Sequence, residues 1–185
     1  MLILASKSPR RKQLLKEDIT DDFEIIVSDI DEEKSYIYSP IEAVRDIAYR
    51  KGEKIHLDHY DDSVISADTI VVLSSLIIGK PTSKLDAKRI LRLLSNKTHQ
   101  VITAYAIFKK DKVILNHVIS EVTFNELNET LIDEYVQSGS PLDKAGAYGV
   151  QDNEKYHIIK EIKGSVKNVI GFPSEEIKND LMKVS

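Results

Sequence analysis

The sequence predicts a mixed α/β fold of the α+β kind, with helices arranged around a mixed sheet. Two observations carry that expectation. Strand-like apolar runs alternate with helix-like segments along the chain, and two long β patterns stand on either side of a short polar turn as a hairpin insert.

The elements follow in order. "MLILA" (Met1–Ala5) is a short continuous apolar run of the kind found in buried strands. Ser8 suits an N-cap and Pro9 a first helical position, so a helix is expected from Pro9 to about Glu17. "FEIIVSDI" (Phe23–Ile30) reads as a second strand, and "DEEKS" after it as a polar loop. Ser39 and Pro40 open a helix over about 40–56, with Ile41, Val44, Ile47, Ala48 and Ile55 at helical spacing. "SVISADTIVVL" and "LIIGKP" are strand patterns. If Ser74 and Ser75 form a two-residue turn, Leu73 pairs with Leu76, and counting outward sets Thr69 opposite Lys80. "SKLDAKRILRLLS" is an amphipathic helix with Leu85, Ile90, Leu91 and Leu94 on one side. The hairpin joins "HQVITAYAIFKK" to "KVILNHVISEVTF". A helix capped by Asn128, a strand at "YHIIKEI" and a last helix complete the chain. That last helix has Ser174 as its cap and Glu175 and Glu176 in the favoured first turn.

Composition bounds the function. A chain of 185 residues is expected to form one domain over 1–185. Hydrophobic content of 42% and charged content of 30% read as soluble and globular. A net charge of −4 gives no general pull toward nucleic acid, so an anion would be bound by local basic groups. The absence of cysteine excludes disulfides, thiolate nucleophiles and Cys-based zinc sites, and suits a reducing compartment. The N-terminal apolar run is short and its charge follows it, the reverse of a signal peptide, and no run approaches a membrane span. The expectation is a cytoplasmic protein without nucleic-acid or membrane partners.

Four features carry chemistry. In "SPRR", Arg10 and Arg11 fall in a helix's first turn, where the dipole disfavours cations. Either they face water, or the helix N-terminus and the arginine forks together bind an anion, with Ser6 and Ser8 adding hydroxyls. Asp68 interrupts an apolar strand, as a turn-capping residue, a metal ligand or a general base. Lys80 is either an edge-strand lysine or, in the register above, a neighbour of Asp68. The tract from Ser138 to Gly149 is the candidate functional loop. Its Gly146 and Gly149 permit close ligand approach, Lys144 offers a charge to phosphate, and Gln151 just beyond carries an amide that donates and accepts at once. Neither a P-loop, a dinucleotide fingerprint nor a G-x-S-x-G elbow is present, and the five histidines lack ligand spacing.

The stretches "LILASKSPRRKQLL", "SADTIVVL", "IIGKPTS", "LSNKTHQVIT", "LDKAGAYGVQ" and "IKGSVKNVIGFP", in this order over nearly the whole chain, resemble the Maf family of nucleoside triphosphate pyrophosphatases. The resemblance implies an inosine-triphosphatase-like fold, a twisted mixed sheet with two lobes around a central cleft. It implies cleavage of a nucleoside triphosphate to the monophosphate and pyrophosphate with a divalent cation, Mg²⁺ or Mn²⁺. By position, Asp68 matches the proton acceptor, while Arg10, Thr69 and Gln151 match positions that set base preference in the branch acting on dTTP and UTP. Arg11, Lys51, Lys80 and Lys144 match basic positions along the phosphate path, with Ser8 beside them. Glu32 matches an acidic position near the metal, which it would share with Asp68; a shifted alignment would bring Asp31 or Glu33 there. The implied role is house-cleaning of pyrimidine nucleotides, modified ones included. The alternative is a nucleotide-binding regulator of septum formation with incidental hydrolysis. A homodimer is left open. Four departures stand out, one being that "GSVKN" lacks the usual aromatic after its serine. Asp152 replaces a usual glycine, so the loop after Gln151 is expected to bend differently. Asn96 replaces another glycine in what is expected to be a left-handed turn. Gly52 replaces a usual alanine, which is expected to weaken its helix by up to about 1 kcal/mol.

Overall fold

The structure is a computed structural model and describes residues 1–185. Its strands are β1 (Leu2–Leu4), β2 (Glu24–Ile25), β3 (Ser63–Leu73), β4 (Leu76–Ile78), β5 (Thr98–Lys109), β6 (Lys112–Phe124) and β7 (Ile159–Lys163). They form one mixed sheet in the order β2-β1-β3-β5-β6-β7, with β4 paired to β3. The helices are α1 (Pro9–Asp18), α2 (Pro40–His56), α3 (Lys84–Leu94), α4 (Glu129–Gln137), α5 (Asn153–Tyr156), α6 (Val166–Ile170) and α7 (Ser174–Val184). None is long and apolar enough to cross a membrane. The chain divides into two compact units: Met1–Thr69 with Ile102–Val118 and Lys167–Ser185, and Ile70–Val101 with Ile119–Val166.

In the first unit the sheet is covered on both faces. Leu4, Ile65, Ala67, Tyr105 and Ile107 pack with Leu14 and Leu15 of α1 and with Phe172, Ile177 and Val184. The alternate residues Ile3, Ala5, Val64, Ala106 and Phe108 pack with Ile55 of α2. A period of two on each strand sends successive side chains to opposite faces, which is why these strands read as continuous apolar runs. Strands β1 and β3 run parallel, with Leu4 opposite Ile65.

Gly52 lies in α2 against that second face. A Cβ built on it would come within 2.5 Å of both Phe108 Cε2 and Ser66 Oγ. Phe108 and Ser66 therefore occupy the space a side chain at this position would need. Propensity alone says that Gly52→Ala should stabilise the helix by about 1 kcal/mol. The packing reverses the sign: the substitution is expected to cost about 1–3 kcal/mol, read as a lower denaturation midpoint.

In the second unit α3 packs on α4, burying Ile90, Leu91 and Leu94 with Ile132, Tyr135 and Val136. Beside them His99, Phe124 and Tyr148 meet edge to face. His99 Nε2 lies 2.7 Å from the Tyr148 hydroxyl, and its Nδ1 is buried without a partner. Burial pushes the imidazole down from its ordinary 6.5 to about 4. Below pH 6.5 the unfolded chain therefore binds a proton that the folded chain refuses until about pH 4. Stability is fully present above pH 6.5 and declines as pH falls through that window. Between pH 7 and 4.5 this group alone is expected to remove about 2–3 kcal/mol. Denaturant titrations of His99→Phe should show a correspondingly smaller acid loss.

The tight hairpin at Ser74 and Ser75 forms with both residues at positive φ, and Leu73 pairs with Leu76 as the spacing predicts. The expected Thr69–Lys80 pair does not form. The ladder ends at Val71–Ile78, because the Gly79 carbonyl accepts from Gly146 N–H at 3.1 Å and Pro81 follows. Lys80 is exposed beyond the strand. The second strand is cut to two residues because its partner β1 has only three; the chain beyond is tied to α2 through Ser28 Oγ on the Lys51 carbonyl. "DEEKS" runs into a single 3₁₀ turn at Glu33–Ile37 rather than staying a loop. Leu85 is 75% exposed, off the apolar side of α3. Ser174 does not cap α7: it is the first helical residue, and its hydroxyl donates to Asp18 of α1 instead. Asn96 does adopt the left-handed turn expected of it, at φ 56°.

Candidate active site

The first unit gathers seven of the residues matched to site positions in the sequence: Ser8, Arg10, Arg11, Glu32, Lys51, Asp68 and Thr69. Ser8 caps α1 as expected, its hydroxyl accepting from Arg11 N–H at 3.4 Å. Asp68 lies within β3 and is 9% exposed. Lys51, in the penultimate turn of α2, reaches it: Lys51 Nζ is 2.9 Å from Asp68 Oδ1 and 2.6 Å from Glu32 Oε1. One ammonium thus bridges two carboxylates. Burial raises the Asp68 carboxyl above the ordinary carboxylate range, and the charges of Lys51 and Arg11 pull it back only in part. Asp31 and Glu33 do not take the place of Glu32 at this ammonium; Asp31 instead accepts from Glu33 N–H.

Arg11 is turned inward. Nε donates to the Gly171 carbonyl at 2.8 Å, Nη1 to the Ala67 carbonyl at 2.9 Å and to Ser6 Oγ at 3.3 Å, and Nη2 to Thr69 Oγ1 at 3.1 Å. Four of its five N–H groups are committed within the chain, so a single proton remains for a phosphate rather than the fork expected from the sequence. Its burial lowers its pKa, an effect that Asp68 offsets. Gly171 has a φ of +113°, and a Cβ there would meet Thr69 Oγ1 at 3.2 Å, so glycine lets this carbonyl approach the guanidinium.

Thr69 is locked by the same network. Thr103 donates its only hydroxyl proton to the Asn168 carbonyl at 3.0 Å, so in the 2.9 Å contact between the two threonines Thr69 is the donor. Thr69 then accepts from Arg11. Arg10 is half-buried next to Arg11, and its charge works against that of Arg11.

Glu32 is placed by residues that the sequence reading passed over. Ser35, fully buried in the 3₁₀ turn, donates to Asp46 Oδ2 at 2.6 Å. Arg50 Nε donates to the same carboxylate oxygen at 2.9 Å, its Nη2 bonds Ser35 Oγ, and its Nη1 reaches the Asp31 carbonyl at 3.0 Å. Arg50 precedes Lys51 on α2, so one helix turn anchors both the loop of Glu32 and the ammonium that meets it. The i,i+4 spacing of Asp46 and Arg50 was the available signal. Gly171 was within reach through the "IGFP" motif, whereas nothing local marks Thr103.

The remaining candidates belong to the second unit. Lys80 is exposed. Lys144 is buried, and its ammonium donates to the Ser140 carbonyl at 2.5 Å, to Asp143 Oδ1 at 3.1 Å and to Ser140 Oγ at 3.2 Å, which uses its three protons. Gln151 is exposed. Asp152 has φ −82° and ψ −10°, a conformation open to any residue, so the loop does not need the glycine it replaces.

The donor set suits a hard cation. Glu32 and Asp68 aim at one positively charged point, now filled by Lys51 Nζ, and supply only oxygen. No group of three or more acidic, His or Cys side chains is arranged to hold a metal ion. Two carboxylates leave the other coordination positions to water and phosphate oxygens, the usual habit of Mg²⁺.

Comparison with known proteins gives a consistent picture. The profile of the family described as Maf-like protein matches residues 1–184. A protein of Bacillus anthracis named dTTP/UTP pyrophosphatase is 44% identical over 180 residues, 97% of this chain and 93% of the relative. A Bacillus cereus protein of the same name is also 44% identical, with the same coverage. Among solved structures, the Ham1 protein of Staphylococcus aureus superposes with a TM-score of 0.51 at 16% identity, covering 100% of this chain and 99% of the other. A nucleoside-triphosphatase, or dITP/XTP pyrophosphatase, of Mycobacterium abscessus gives 0.50 at 11% identity, covering 99% and 94%. These two likenesses are of fold.

Proposed function

The chain belongs to the Maf family, and on that premise we propose that it is a pyrophosphatase hydrolysing dTTP and UTP to the monophosphate and pyrophosphate. The observation that carries the reading is the buried Asp68, with its raised pKa, held against Lys51 and within the field of Arg11. A carboxylate moved toward neutrality is suited to accept a proton at physiological pH.

In this mechanism Asp68 takes a proton from a water molecule as the water oxygen bonds to the α-phosphorus. The bond from that phosphorus to the oxygen bridging to the β-phosphate breaks, and pyrophosphate leaves with the electron pair. Lys51 and Arg10 face the charge growing on the phosphate oxygens. A divalent cation held by Glu32 and Asp68 would supply charge neutralisation on the triphosphate. Arg11 acts from behind the site: it ties Ser6, Thr69 and the Gly171 carbonyl together. Arg10, Thr69 and Gln151 select the base.

The test is a panel of UTP, dTTP, CTP, ITP and 7-methyl-GTP with the purified chain and Mg²⁺ or Mn²⁺. UTP and dTTP are expected to turn over fastest, with nucleoside monophosphate and pyrophosphate as products. Preference for ITP or 7-methyl-GTP would contradict the substrate assignment, and release of orthophosphate would contradict the reaction.

A further inference from the structure

Asp152, the residue that departs from the family's usual glycine, is built into the second unit by two side chains. Its Oδ2 accepts from the Tyr135 hydroxyl at 2.7 Å and from Ser140 Oγ at 2.7 Å. Tyr135 in turn accepts the buried N–H of Gly149 at 3.1 Å. Ser140 receives the buried Lys144 ammonium on both its carbonyl and its hydroxyl. The short segment Gly149–Asp152 is therefore held at both ends on one tyrosine: by its first N–H and by its last carboxylate. Gln151 lies between those two ends.

The packing leaves little freedom at the first end. A Cβ on Gly149 would fall 2.7 Å from Lys144 Cε and 3.2 Å from the Gln151 amide carbon. The glycine backbone is thus sandwiched between the lysine stem and the glutamine side chain. Burial, and secondarily the bond to Asp152, raise the Tyr135 hydroxyl, so it stays protonated as a donor.

We propose that Asp152 is a specificity-positioning residue, fixing the segment that carries Gln151 so that its amide distinguishes uracil and thymine from cytosine. The inference rests on the pyrophosphatase reading above. A uracil or thymine edge offers a carbonyl acceptor beside an N–H donor, whereas cytosine offers an amino donor beside a bare acceptor. The Gln151 amide answers the first pattern in one orientation and the second after a half-turn. Pinned at both ends, with the Gln151 amide carbon lying against Gly149, the segment presents the amide to the base from one direction, and a loose segment serves either base.

The experiment measures kcat and KM for UTP and CTP in the wild-type chain and in Asp152→Gly, Asp152→Asn and Tyr135→Phe. In Asp152→Gly the UTP:CTP ratio of kcat/KM is expected to fall by about tenfold or more, through KM, with kcat for UTP within about threefold of wild type. Asp152→Asn keeps an acceptor in place and should hold the ratio within about threefold. Tyr135→Phe should shift it in the same direction as Asp152→Gly, and it carries the test if the glycine variant fails to fold. An unchanged ratio in these variants, or an equal loss of kcat for both nucleotides, overturns the inference alone. A folded wild-type chain inactive on both nucleotides overturns the pyrophosphatase reading, and the inference with it.

Discussion

Replacing Asp68 by Asn is expected to slow pyrophosphate release from UTP by about 10²–10⁴-fold while leaving the chain folded. The substitution keeps the shape of the side chain and removes its capacity to take a proton. Stability should hold, because burial already opposes the negative charge of Asp68. Lys51 retains Glu32 at 2.6 Å, so the ammonium is not left alone. The variant separates chemistry from folding: the loss must appear in kcat, with the thermal midpoint unchanged or raised. A variant with wild-type kcat would remove Asp68 from the reaction. One that loses activity only by unfolding would make it a structural residue.

Lys51→Met should be the most damaging single change to stability at this site. The side chains of Lys51 and Asp68 are 17% and 12% exposed, so their pairing takes place largely out of water. Removing one member of such a pair strands the other charge, at about 3–5 kcal/mol. Here two carboxylates are left facing each other, with Arg11 as the nearby compensating charge. Activity should fall by roughly 10²–10³-fold as well, because a cation facing the phosphates is lost. The double variant Lys51→Met/Asp68→Asn should recover part of the stability and none of the activity, since the stranded carboxylate is gone. Denaturant midpoints for the two singles and the double give the coupling directly. Additive losses would mean that the two groups do not sense each other.

The local parts of the fold were legible. Ser8 and Asn128 each cap a helix through their own side chains, as short-range rules require. Leu73 meets Leu76 because a two-residue turn leaves no other register. What failed depended on partners distant in sequence. The run from Phe23 to Ile30 has strand chemistry, but a three-residue neighbour can pair only so much of it. Ser174 has cap chemistry, but it lies one residue inside α7, and its hydroxyl is turned to the Asp18 carboxylate, to which it donates.

The site divides in the same way. Asp68 was visible as an acid in an apolar strand, and Arg10 and Arg11 as cations at the wrong end of a helix. The two arginines differ for a reason that no local rule shows. The carbonyls of Ala67 and Gly171 come from distant chain segments and converge on Arg11, which makes it a brace. Lys51 and Glu32 carried no signal beyond the family resemblance, because their meeting depends on how the loop before α2 folds back onto that helix. Asp152 looked like a disturbance of its loop and proves to be its anchor, since its acceptors are filled by Tyr135 and Ser140.

In the proposed reaction water attacks the α-phosphorus, with Asp68 as the proton acceptor. Hydrolysis of UTP in ¹⁸O-labelled water, followed by mass spectrometry of both products, tests it most directly. One ¹⁸O is expected in the nucleoside monophosphate and none in pyrophosphate. Label in the pyrophosphate, placing the attack on the β-phosphorus, would contradict it.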